Sequence, residues 1–174
     1  MFVSTILTIS FILYGLQYLI EQNVNAFDNY GINFFAPLDP YQVASKDRDY
    51  DLDSHGIVYL SFDPFIKELS YEVFLEGMSY LDGDDVEIIQ IHLGTPGENG
   101  PAVLSFCNEK KEKGHCREGP GLSVEGVLEE KDLKGPLKGS SFNDLIQVFK
   151  GGQSHVYVQS RDHPEGEIRG QISY

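Results

Sequence analysis

The sequence predicts an all-β fold: a Greek-key-like β-sandwich of about seven or eight short strands with one short helix, preceded by an N-terminal hydrophobic helix. Three observations carry that expectation. Leu69, Tyr71, Val73 and Leu75 alternate with Ser70, Glu72, Phe74 and Glu76, the period-2 pattern of a half-buried strand. Eighteen glycines and eight prolines are spread through the chain, which suits many short strands joined by turns. Beyond the N-terminal stretch only Phe142, Leu145, Ile146 and Phe149 fall at helical spacing.

Taken in order, residues 27–54 are aromatic and Asp-rich without clean periodicity. Phe27, Tyr30, Phe34, Phe35 and Tyr41 surround Pro37 and Pro40, so an extended arm is expected, packed on the domain or on a partner. Residues 57–62 form a strand that Asp63-Pro64 ends, and residues 69–76 form the next. Residues 86–93 are almost continuously apolar, as in a central strand. Residues 102–106 follow the Glu98-Asn99-Gly100 turn as its hairpin partner. Residues 122–128 make another strand, in which Gly126 marks a bulge. The helix takes Ser140 or Ser141 as its N-cap and Gly151-Gly152 as its stop. Strands at 155–160 and 167–173 complete the domain, which is placed at 55–174.

The chain has 174 residues, 41% of them apolar and 12% aromatic, enough for one domain with its own core. Its formal charge of −14 excludes nucleic acid as a partner, because binding a polyphosphate needs clustered Lys and Arg. The one basic cluster, Lys110, Lys111, Lys113 and Arg117, is interrupted by Glu109 and Glu112 and reads as a solvated loop. Acidity favours solubility or loose association with cations outside the cell.

Residues 2–20 carry no charge. As a helix they would span about 28 Å, close to the hydrocarbon thickness of a bilayer. Two readings stand for residues 1–26: a secretory signal peptide cut after Ala26, following Val24-Asn25-Ala26, or an uncleaved membrane anchor. Both export the remainder, to the extracellular space or the outer face of the cell membrane. Cys107 and Cys116 are the only cysteines. In an oxidising compartment they are expected to close a loop, worth about 2.5–3 kcal/mol by chain entropy. Zinc would need more ligands than two Cys and the adjacent His115 supply on one tight loop.

Two segments share a strand-then-turn grammar. One runs from Ile89 through His92 into Gly94-Thr95-Pro96-Gly97-Glu98-Asn99-Gly100-Pro101. The other runs from Ser154-His155-Val156-Tyr157-Val158-Gln159-Ser160 through Pro164 into Glu165-Gly166-Glu167-Ile168-Arg169-Gly170-Gln171-Ile172. Together they resemble the CHRD domain, the extracellular module first named from chordin, over roughly residues 69–172. The resemblance picks out His92, Gly94, Gly97, Gly100, Pro164, Gly166, Glu167, Arg169 and Gly170 as family-motif positions. It implies fold and location more than activity.

Family members often carry a second histidine two positions before His92 and another in the penultimate strand; this chain has Gln90 and Gln159 there. The strand-His-loop pattern is also similar to that of the copper-zinc superoxide dismutase sandwich, but those glutamines break the ligand count. His92 is expected to fix the adjacent loop, with ligation of copper or zinc as the alternative. Asp47, Asp49, Asp51 and Asp53 alternate and would line one face of an extended segment. That makes Asp49, Asp51 and Asp53 candidates for Ca²⁺, although no EF-hand pattern fits. Asp82-Gly83-Asp84-Asp85 is a second acidic turn. Arg169 shares a strand face with Glu167 and Gln171 and is expected to pair across strands with an acidic neighbour.

No nucleophile elbow or zinc-protease helix is present in the sequence, so no catalytic residue and no cofactor are predicted. The expected function is a non-enzymatic extracellular module that binds protein partners, secreted or membrane-anchored, as an accessory subunit of a membrane assembly in one variant. The alternative is a metal-binding or metal-dependent protein centred on His92.

Overall fold

The computed structural model of the protein describes residues 31–44, 53–78, 86–107 and 121–174. Nearly all of them fall in one compact unit, Asn33–Tyr174. Period-2 alternation produces the strands: β3, Glu68–Glu76, buries every second residue along its whole length. Beside it lie β2, His55–Asp63, and β6, Gly121–Leu128. With β1, Ile32–Leu38, they form an antiparallel sheet of order β1-β2-β3-β6.

The second sheet has the order β5-β4-β7-β8. Its strands are β4, Val86–Leu93; β5, Ala102–Cys107; β7, Ser154–Ser160; and β8, Ile168–Gln171. β6 returns beside β3 and β7 beside β4, with the β4–β5 hairpin in the opposite sheet, which is the Greek-key relation. The two sheets enclose one core. Tyr71 of the first meets Phe106 of the second at 4.7 Å between ring centroids, and its hydroxyl donates to the Phe106 carbonyl oxygen at 3.3 Å.

One helix, α1, Phe142–Lys150, is present among the described residues besides short 3-10 turns. Ser141 caps it reciprocally with Asp144. Its apolar face buries Phe142 against Phe62 and Phe149 against Phe34, with centroids 5.9 and 5.1 Å apart.

The segment expected as an arm, 27–54, supplies β1 and the turn Pro40–Gln42; residues 27–30 and 45–52 lie outside the described residues. β1 joins the first sheet and is bridged to the C-terminal strand region as well, Phe35 with Ser173 and Asp39 with Arg169. Phe34, Ala36, Leu38 and Val43 are core residues, so the sandwich starts upstream of residue 55. The irregular polarity of 27–54 conceals a strand only seven residues long.

Gly126 is not at a bulge: the β3–β6 register runs unbroken through the Tyr71–Gly126 pair. A Cβ on Gly126 would lie 2.6 Å from the Tyr71 hydroxyl, so glycine is there to admit the tyrosine ring. The N-terminal hydrophobic helix expected at 2–20 lies outside the described residues. Among those residues, no helix is long and apolar enough to cross a membrane.

Candidate functional site

The second sheet has two unlike faces. Ile89, Ile91, Val156 and Val158 point into the core. The opposite face carries polar side chains, set in rows by register: His92 beside His155 beside Gln171, and Gln90 beside Tyr157 beside Arg169. An outer face of this kind usually meets water. Here it is covered, and His155 and Arg169 are 0% and 1% exposed. The cover is the loop between β4 and β5 together with the Asp39–Gln42 turn.

Arg169 ties both covers down. Its Nη2 donates to the carbonyl oxygens of Thr95 and Glu98 at 3.1 and 3.4 Å and to Gln171 Oε1 at 3.1 Å. Its Nη1 donates to the Gln42 carbonyl oxygen at 3.4 Å. Gln171 continues the net, its amide donating to the carbonyl oxygens of Gly94 and Gly152 at 3.1 and 2.8 Å. The Gln171 backbone N–H donates to Gln42 Oε1 at 3.0 Å, and the Gln42 amide donates to Asp39 Oδ2 at 2.7 Å. Burial pulls the Arg169 pKa down, yet a guanidinium stays charged and its planar fork serves several carbonyls at once. This corrects the expected cross-strand ion pair: neutral carbonyls, not a carboxylate, receive Arg169. Glu167, 3% exposed, instead accepts from the Ser54 hydroxyl at 2.6 Å.

His92 Nδ1 lies 2.8 Å from the Gly100 carbonyl oxygen, and Nε2 lies 3.1 Å from Gln90 Oε1. Burial lowers its pKa, so the ring is neutral near pH 7. A neutral imidazole has one N–H, so it donates to the Gly100 carbonyl oxygen or to Gln90 Oε1 and not to both. His155 faces it at 5.6 Å between centroids, and Tyr157 packs against His92 at 5.1 Å. Among the described residues, neither ring nitrogen of His155 makes a well-formed hydrogen bond, the Gly94 backbone being a polar neighbour. Burial first, then the charge of Arg169 and the neighbouring His92, push its pKa to about 4, with the Gly94 backbone pulling weakly the other way. Lys134 reaches the same face, Nζ to the Ser105 hydroxyl at 2.6 Å, and burial lowers its pKa.

The family-motif positions converge on this region. Gly94, Gly97 and Gly100 shape the covering loop, and Pro164 and Gly166 form the turn before β8. A Cβ on Gly170 would fall 2.2 Å from the Pro37 carbonyl oxygen, so glycine lets the end of β1 pass close to β8. Gln159 donates its amide to the Pro164 carbonyl oxygen, within the turn.

Of the Ca²⁺ candidates, Asp49 and Asp51 lie outside the described residues, as does the acidic turn at 82–85. Asp53 lies beside β2, its carbonyl oxygen 2.8 Å from His55 Nδ1. Among the described residues, no three His, Cys, Asp or Glu side chains stand close enough to share a metal. Cys107 is fully buried and is not a free thiol; Cys116 lies outside the described residues.

Sequence reasoning singled out His92 and Arg169 but passed over His155, Tyr157, Gln42 and Lys134. The register signal for His155 was available: it stands opposite His92 once β4 and β7 are aligned antiparallel.

A family model, the CHRD domain, matches residues 34–172. No curated protein and no solved structure matches the chain.

Proposed function

The chain therefore belongs to the CHRD domain family, and on that premise we propose that it is an exported, non-enzymatic module that acts by binding other proteins. One observation carries this reading. The cluster of titratable side chains on β4, β7 and β8 is closed over by loops, and its Arg169 and Gln171 donors are engaged by carbonyl oxygens of those loops. Chemistry on a substrate needs reactive groups that reach it; this cluster serves architecture. The chain is anchored through residues 2–20 or released after Ala26, its Cys107 and Cys116 are bridged, and in the anchored form it is a subunit of a membrane assembly.

A native gel of solubilised source membranes and of culture medium, read by mass spectrometry, tests this. Co-migration with other proteins is expected, and the first residue found, Met1 or Phe27, decides between anchor and secreted form. A turnover by the purified protein that His92→Ala abolishes would overturn the reading.

A second reading, a copper or zinc site, has one observation in its favour. His155 is buried, makes no well-formed hydrogen bond among the described residues and faces His92, and imidazole suits both metals. Against it stand the nearby positive charge of Arg169 and the missing third ligand among the described residues. Stoichiometric metal in tag-free protein, lost in both His92→Ala and His155→Ala, would establish it. Calcium bound by the run Asp49, Asp51 and Asp53 would appear in the same metal analysis.

A further inference from the structure

The outer face of the first sheet differs sharply from that of the second, because nothing among the described residues covers it. Its cross-strand rows follow from the register. Tyr59, Glu72 and Glu125 lie side by side on β2, β3 and β6; Ser61, Ser70 and Val127 form the next row. Tyr59 is 47% and Val127 51% exposed, and Phe74 stands edge-on to Tyr59 at 6.4 Å, itself 41% exposed. Tyr59, Glu72, Glu125 and Val127 border a shallow groove of about 510 Å³, and Phe74 lies beside it against Tyr59.

Glu72 and Glu125 are directly opposed across the strands. Like charges in that position repel, and among the described residues neither carboxylate has a cation or hydrogen-bond partner. A protein that gains nothing from the pair internally leaves it poised for a positive group from outside. The apolar rim offers contact area to whatever brings that group.

We propose that this face docks a partner protein through a segment that alternates basic and aliphatic side chains, the bases meeting Glu72 and Glu125 and the aliphatics packing on Tyr59, Phe74 and Val127. Charge complementarity selects this occupant. A second copy of the chain would set the same two carboxylates against themselves, on a protein of net charge −14, and polyanions are repelled outright. The inference rests on the protein-binding reading above and adds the surface and the chemistry of the partner.

The test uses the full chain and a synthetic peptide of alternating lysine and valine, with a glutamate–valine peptide as control. Amide chemical shifts are expected to move on β2, β3 and β6 with the lysine peptide only. Affinity should fall at least tenfold between 50 and 300 mM salt, and at least tenfold again in Glu72→Lys/Glu125→Lys. Both side chains are exposed, so that variant folds as the parent does, which its thermal midpoint verifies. Equal binding of the two peptides, shifts on another surface, or indifference to the charge reversal would overturn the proposal, as would dimerisation through this face.

Proximity labelling on the native membrane separates the two levels. Partners captured equally by the parent and the charge-reversed chain would retain the protein-binding reading and remove this face from it. Capture lost in the variant supports the face, and labelling that finds no partner for either chain sinks the reading itself.

Discussion

Arg169 Nη2 donates to the Thr95 carbonyl oxygen at 3.1 Å, joining positions 74 residues apart in the chain. The guanidinium is 1% exposed and pairs with no carboxylate among the described residues, so carbonyl and side-chain amide dipoles offset its charge. Removing it leaves several carbonyl oxygens without a donor, each costing about 1–3 kcal/mol if it stays buried. Arg169→Met should therefore destabilise the protein by about 3 kcal/mol or more, read from urea unfolding. Arg169→Lys should recover less than half of that, since one ammonium cannot span Thr95, Glu98 and Gln42. Amide exchange should accelerate in residues 94–100 first. A uniform rise over all eight strands would mean that Arg169 supports the core and not the loop.

The turn before β8 offers a comparison between two glycines. Gly139 and Gly166 both have positive φ, +82° and +104°. A Cβ on Gly139 would meet nothing within 4 Å, whereas one on Gly166 would lie 2.6 Å from the Tyr157 ring. Gly139→Ala should cost about 1–2 kcal/mol from backbone strain alone. Gly166→Ala should add roughly 1–3 kcal/mol of overpacking, and Tyr157→Leu in the same chain should relieve the added part. Unfolding free energies of the three variants decide it; equal costs for the two glycine changes would remove Tyr157 from the explanation.

The cysteines make an asymmetric prediction. Cys107 is buried in β5. If it is bridged to Cys116, reduction should lower stability by about 2.5–3 kcal/mol through loop entropy. Cys116→Ser should cost about that much. Cys107→Ser should cost about 1–3 kcal/mol more, because it also buries a hydroxyl. Mass spectrometry of the alkylated protein, with and without reductant, fixes the pairing; two free thiols in freshly exported protein would end the bridge proposal.

The strands were legible because burial on one face writes itself into the sequence with period 2, as Leu69, Tyr71, Val73 and Leu75 show. The helix was legible to within one residue of its cap, with Ser140 or Ser141 expected and Ser141 found. β1 was not, because Phe35 and Pro37 blur the alternation of Phe34, Ala36 and Leu38. Nor was the burial of the second sheet's polar face. Alternation can say that His155, Tyr157 and Arg169 share a side with one another, but a polar residue on that side reads as solvated. Only the path of the loop at 94–101 and of the chain at 39–42 buries them, and that path is a tertiary fact. Arg169 was for this reason expected to pair across strands with an acidic neighbour.

The buried histidine pair makes stability depend on pH with a definite sign. The His155 pKa is lowered from 6.5 to about 4 in the folded protein, chiefly by burial, and that of His92 is lowered for the same first reason. As pH falls through 6.5 the unfolded chain takes up these protons and the folded chain does not. Stability is thus fully present above about pH 6.5, is lost progressively down to about pH 4, and is flat in this respect below it. For His155 alone the full loss is about 3.5 kcal/mol, since its pKa falls from 6.5 to about 4 and a tenfold change in proton affinity is worth about 1.4 kcal/mol. Carboxylates such as Glu98 and Asp144, whose hydrogen bonds lower their pKa values, also weaken the fold in acid, so the comparison must be made with a variant. His155→Gln cannot titrate, and its unfolding free energy between pH 4 and 7 should be flatter than that of the parent by about 3 kcal/mol. Parallel profiles for the two proteins would show that His155 is protonated in the fold, and that the sealed face admits a proton after all.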